Sequence, residues 1–129
     1  MAHSAVAVLL AFLLLQTKHL IFDFLVQTRY QVTNKGRYGH PGGIVHSGLH
    51  ALGSLAVFVA LPVGLPLAAA VIVGEFLVHY HIDWLKDGVV RRAGWTVADA
   101  RYWQALGLDQ FAHQITYIAM VAVLVAGSV

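Results

Sequence analysis

The sequence predicts an all-α fold, a polytopic membrane protein built as an antiparallel bundle of four transmembrane helices, and three observations carry that prediction. Of 129 residues, 59% are hydrophobic and only 11% charged, with a mean hydropathy of +0.72; a soluble domain clothes its surface with about 25% charged residues. Four apolar stretches each approach the ~20 residues that cross a ~30 Å hydrocarbon core at 1.5 Å per residue. Strand alternation is absent, and backbone in lipid must satisfy its own hydrogen bonds, so these stretches read as helices. The chain reads as one transmembrane domain over residues 1–129.

The first segment, 4–26, opens with an unbroken apolar run from Ala5 to Leu15. It has no basic n-region and no small-x-small cleavage site before its polar end, so it is expected to stay in the mature protein rather than leave as a signal peptide. A polar, glycine-rich connection over 28–43 follows and reads as a flexible surface loop. The second segment, 44–61, carries a ridge of small residues, Gly43, Ser47 and Ala51, suited to close helix packing. Only Pro62, Val63 and Gly64 separate it from the third, 65–85, which forces an antiparallel hairpin. In the last connection, 87–102, Thr96 and Asp99 are placed to cap a short interfacial helix, with Trp95 and Trp103 as headgroup anchors. The fourth segment spans 103–126.

All eight basic residues, Lys18, Arg29, Lys35, Arg37, Lys86, Arg91, Arg92 and Arg101, lie in the two long connections or in the last turns leading into them. The positive-inside rule therefore places the loops 28–43 and 87–102 in the cytoplasm and both termini outside. The same rule explains a pI near 9.2 without invoking nucleic acid. With no cysteine, a disulfide scaffold, a thiolate zinc site, an iron–sulfur cluster and a cysteine nucleophile are all excluded.

The residues that lipid should expel form a pattern. His19 and Asp23, His46 and His50, His79 and Asp83, and Asp109 and His113 are four pairs at i and i+4, each on one helix face. All four pairs lie at the loop-bearing ends of their segments, so five His and three Asp converge at one depth. Imidazole and carboxylate donors on several rigid elements are what a divalent ion requires. The absence of sulfur suits zinc first, with iron or manganese as alternatives, and eight candidates are enough for one or two ions. A single His-x-x-x-Asp is better explained as a hydrated ion pair, Asp83 with Lys86 or Asp23 with Lys18 or Arg29. Four pairs at one depth favour a site, because charged residues within a membrane helix usually face the bundle interior. Glu75, one turn before His79, and Asp23 are the candidate general acid and base. Gln27, Gln110, Lys86 and Tyr117 are candidates to orient the ligands, Gln16 extends the His19 stripe, and His3, His40 and His81 fall outside the site. Each half of the chain is a helical hairpin with these pairs in corresponding places, a candidate pseudo-repeat about the membrane normal.

The ordered set His19-x-x-x-Asp23-Phe24-x-x-Gln27, His46-x-x-x-His50, His79-x-x-x-Asp83-x-x-Lys86 and Asp109-Gln110-x-x-His113 resembles the bacterial integral membrane family known as domain of unknown function 3307. The resemblance covers nearly the whole chain and implies a four-helix protein of the bacterial inner membrane, and it supplies no reaction. The residues themselves point to a membrane metalloprotein, with a metal-dependent hydrolase of a lipid or phosphoester as the leading expectation. The nearby Lys and Arg would attract anionic lipid. Alternatives are a metal-ion or proton binding and transport component of a membrane complex, oligomeric or larger, and a non-catalytic protein with a hydrogen-bonded polar layer.

Overall fold

The structure, a computed structural model, describes residues 4–127 and is helical throughout, with no strand among the described residues. Helix α1 spans Ala5–Leu20, α2 Arg29–Asn34, α3 Pro41–Gly53, α4 Val57–Ala60, α5 Leu65–Ala93 and α6 Ala100–Ala126. Four helical stretches are long and apolar enough to cross a membrane: Ala5–Leu25, Pro41–Ala60, Leu65–Ala93 and Ala100–Ala126. They pack in the cyclic order α1, α3–α4, α5, α6. Outward-facing positions such as Leu9, Leu13, Val59, Val73, Phe111 and Ile118 are apolar and exposed, as a bundle surrounded by lipid demands. His3 lies outside the described residues.

The first span is not a uniform helix. Beyond Leu20 it widens into a π-helical turn, Ile21–Leu25, in which the Val26 amide bonds to the Ile21 carbonyl at 2.9 Å. Such turns insert one residue into the helical register and often occur at functional sites. Here the turn carries Asp23, and the Gln27 amide donates to the Asp23 carbonyl at 2.7 Å. Gln27 therefore caps the widened turn.

The 28–43 connection departs from the expected flexible loop. Thr28 accepts from the Gln31 amide and Gln31 accepts from the Thr28 amide, a capping box that starts α2. The short helix turns the chain inward and buries Lys35. Gly36 lets the backbone approach α5 closely, since a Cβ there would lie 2.7 Å from Asp87 Cβ. His40 then caps α3 by accepting from the Gly42 amide at 3.0 Å. Replacing Thr28 by alanine is expected to lower stability by about 1 kcal/mol, read by thermal denaturation in detergent. An unchanged midpoint would mean that the capping box does not hold α2.

The predicted small-residue ridge does bring α3 close to its neighbours: Gly43, Ser47 and Ala51 are buried, and a Cβ on Gly43 would meet the Tyr80 ring at 3.2 Å. A 3₁₀ turn, Ser54–Ala56, separates α3 from α4. Helix α5 runs eight residues past the predicted end at Leu85. Hydropathy falls there, but nothing stops the helix until Gly94, whose φ of +67° forms a left-handed cap. No separate interfacial helix precedes α6. The Asp99 carboxylate instead accepts from the Thr96 amide at 2.7 Å, and α6 begins at Ala100.

In the half of the bundle away from the two long connections, Ala11, Leu15, Val57, Leu61, Val71, Met120, Val121 and Leu124 form an apolar core. The polar residues gather in the other half.

Candidate metal centre

All eight predicted ligands are buried, between 0% and 6% exposed, and the four spans aim them at one another. Asp23 comes from the π turn after α1, His46 and His50 from α3, His79 and Asp83 from α5, and Asp109 and His113 from α6. The imidazoles crowd together at tilted angles, with the His79 ring centroid 3.9 Å from that of His50 and 4.2 Å from that of His113. Two groups have donor atoms all within 4.8 Å of one another: Asp23, His46, His50 and His79, and separately His79, Asp83 and His113. His79 belongs to both.

The polar atoms at the centre are only partly satisfied by the protein. His46 Nε2 lies 3.0 Å from both Asp23 Oδ1 and Asp83 Oδ2, yet neither contact has hydrogen-bond alignment. Both nitrogens of His79 and both carboxylate oxygens of Asp83 also lack hydrogen-bond partners. A buried, unpaired polar atom costs about 1–3 kcal/mol. A cluster of them is stable only if something else satisfies it, and these donor types suit a cation. His50 is better paired, with its Nε2 3.0 Å from Asp23 Oδ1 in hydrogen-bond geometry.

His113 is held in the tautomer a ligand needs. Its Nδ1 donates to the Asp109 carbonyl at 2.8 Å, which leaves the Nε2 lone pair free and without a partner. His19 differs, because both nitrogens are engaged. Nε2 donates to Gln110 Oε1 at 2.8 Å, and Nδ1 then accepts from the Tyr117 hydroxyl at 2.9 Å. Gln110 also donates to Asp23 at 3.3 Å and to Asp109 at 3.1 Å. Gln110 thus bridges His19, Asp23 and Asp109, and Tyr117 holds the other side of His19. Neither His19 nor Asp109 joins a converging group.

Two lysines missed as site residues balance the buried acids. Lys18 forms an ion pair with Glu75 and donates to the His50 carbonyl at 3.1 Å. Lys35 Nζ lies 3.6 Å from Asp83 Oδ2. Burial disfavours the charge on Lys35, but Asp83, Asp23, Asp87 and Asp109 outweigh it and hold the pKa above the ordinary lysine value. The expected partners were therefore wrong in detail: Asp83 pairs with Lys35, Lys18 with Glu75, and Lys86 with Asp87 at 2.6 Å. His81 faces outward, hydrogen-bonded to Tyr38 at 3.2 Å, and His40 caps α3 instead of lying in a loose loop; neither belongs to the converging groups.

A polar cavity of about 450 Å³ reaches the centre from the side of the two long connections. Asp23, Asp109 and Gln110 line it together with the basic side chains of Lys35, Lys86 and Arg91; Lys35 is buried and Arg91 exposed. Glu75 does not line it; with Lys18 it sits on the far side of the imidazoles, against Tyr117.

A family model described as Protein of unknown function (DUF3307) matches residues 8–128. The chain belongs to that family. No curated protein and no solved structure gives a significant match. For this DUF3307 chain the centre therefore has to be read from its own chemistry.

Proposed function

We propose that this protein is a membrane-embedded metalloprotein that holds one divalent cation, zinc first, and uses it to hydrolyse a phosphoester at the cytoplasmic surface of the membrane. The observation that carries this reading is the buried convergence of Asp23, His46, His50, His79, Asp83 and His113, with many of their donor atoms lacking a protein partner. Charge supports one ion. Asp23, Glu75, Asp83 and Asp109 are buried against Lys18 and Lys35, so with neutral imidazoles two negative charges remain uncompensated, the amount a divalent cation cancels. Nitrogen and oxygen donors without sulfur suit zinc, iron(II) or manganese(II).

A bound divalent cation lowers the pKa of a coordinated water towards ~7 and polarises the ester oxygen. The chain supplies the rest. Asp109 lines the cavity with an unpartnered oxygen and is placed to take a proton from the attacking water. The water oxygen bonds to phosphorus, the ester P–O bond breaks, and the leaving oxygen receives that proton. Lys86 and Arg91 hold the substrate's negative charge. Asp23, with His46 and His50 against its Oδ1, is better suited to binding the ion than to proton transfer, and Glu75 is occupied by Lys18.

Transport across the bundle is the competing reading; the apolar core between the centre and the opposite face, where the cluster holds no charged side chain and no histidine, supports hydrolysis. The orientation follows from Arg29, Arg37, Lys86, Arg91, Arg92 and Arg101, which cluster on the cavity side.

Elemental analysis of protein purified without chelator is expected to find about one divalent ion per chain. Turnover of a phosphoester in mixed micelles should stop with chelator and return with zinc. Stable, metal-free protein would sink the proposal; ion flux in liposomes without turnover would replace it with transport. Gln110→Leu, which removes a donor to the proposed ligand Asp23, is expected to weaken the cation about 10–100-fold in a chelator competition. An unchanged affinity would mean that the orientation of Asp23 by Gln110 does not matter to the ion.

A further inference from the structure

The polar cavity and an apolar groove on the outer face between α5 and α6 share two lining residues, Lys86 and Asp109; Ile82, Leu85, Leu108 and Ala112 also line the groove. One helical turn further into the membrane a second, separate apolar groove lies on the same α5–α6 seam, past Val78, Gly74, Thr116 and Ala119, with Glu75 also in its wall. Small residues make the seam. A Cβ on Gly74 would meet nothing within 4 Å, so that glycine leaves open space rather than permitting a helix contact. Lys86 and Gly74 stand twelve residues apart, about 18 Å along the helix, close to one leaflet's share of a ~30 Å core.

We infer that the substrate is an anionic phospholipid, its phosphate in the polar cavity beside Lys86 and Arg91 and one acyl chain lying in the α5–α6 groove, entering sideways from the bilayer between Lys86 and Asp109. This rests on the hydrolase reading and names its substrate class. Two features select a lipid over a soluble phosphoester. The seam is apolar along one leaflet's depth, and its first groove shares a basic side chain with the polar cavity, so one amphiphile satisfies both. A soluble phosphate would use the cavity and leave the groove without a role. Lys86 is suited to stand between groove and cavity because its alkyl stem tolerates the apolar groove while its ammonium, paired with Asp87, stays in the polar cavity.

The test is photo-crosslinking of the full chain in phosphatidylcholine nanodiscs doped with phosphatidic acid that carries a diazirine midway along one acyl chain. A phosphatidylcholine probe with the same chain is the control. Adducts are expected on α5 and α6 groove residues, and the phosphatidic acid probe should label them more strongly than the control. Lys86→Gln should lower that labelling about fivefold. Gly74→Trp and, independently, Ala119→Trp should fill the groove and remove the adducts while metal content stays at the wild-type value; the second variant serves if the first does not fold. Adducts spread evenly over the lipid-facing sides of all four spans would overturn the inference. So would labelling that survives both tryptophan variants, or that inorganic phosphate alone displaces. Metal content and turnover are read on the same samples. Active, metal-loaded protein without groove labelling overturns the lipid inference alone, and groove labelling in metal-free protein overturns the hydrolase reading alone.

Discussion

His79→Ala is expected to empty the centre, taking bound metal from about one ion per chain to below about 0.1 and abolishing phosphoester turnover. His79 is the one residue shared by both converging groups, and its ring stands between those of His50 and His113. Removing it opens a gap at the middle of the cluster, where no neighbouring donor can substitute without moving a helix. The carboxylates of Asp23 and Asp83 would then face each other without a cation, so the thermal midpoint should fall as well. Elemental analysis and a melting curve in the same detergent check both effects. His81→Ala, two residues away on the exposed side of α5, is the control and should change neither. Metal retained at the wild-type level by His79→Ala would refute a centre built on these residues.

The second large effect is electrostatic. Lys18→Met leaves Glu75 charged and unpaired at 2% exposure, and breaking one side of a buried ion pair costs about 3–5 kcal/mol. Replacing both partners, Lys18→Met with Glu75→Leu, removes the orphan charge and should recover most of that loss, because an apolar pair of similar volume is often as stable as the ion pair. The double variant must still satisfy the His50 carbonyl that Lys18 serves, so recovery should be incomplete. Thermal denaturation of the wild type and the three variants gives the coupling directly. Additive effects of the two single changes would mean that Lys18 and Glu75 do not act as a pair.

Lipid makes a polar residue conspicuous, which is why the histidines and aspartates of the centre were legible as a set from spacing alone. The four spans were legible for the same reason. What escaped was how charges are balanced. Lys18 near a helix end reads as a side chain that reaches for water, and nothing in its neighbourhood in the sequence shows that Glu75, on another helix, will meet it. Lys35 was hidden by a different error. The glycines of 28–43 suggest a loose loop, whereas the Thr28-x-x-Gln31 capping box in the same stretch folds the segment inward. The π turn left no mark in composition, although it changes how Asp23 faces α3. The overrun of α5 past Leu85 was missed because hydropathy marks the end of a lipid-facing run, whereas a helix ends where a residue such as Gly94 can turn the backbone.

The apolar core described above also settles where the electric field of an energised membrane falls. A potential drops mostly across the driest layer, and each elementary charge moved through it is worth about 2.3 kcal/mol per 100 mV. Here that layer is the half built from Leu15, Leu61, Leu124 and their neighbours, while the cavity joins the centre to the water on the other side. On the proposed reading, the cation and Asp109 would therefore sit near the potential of that water. Loading and turnover should then be indifferent to membrane voltage.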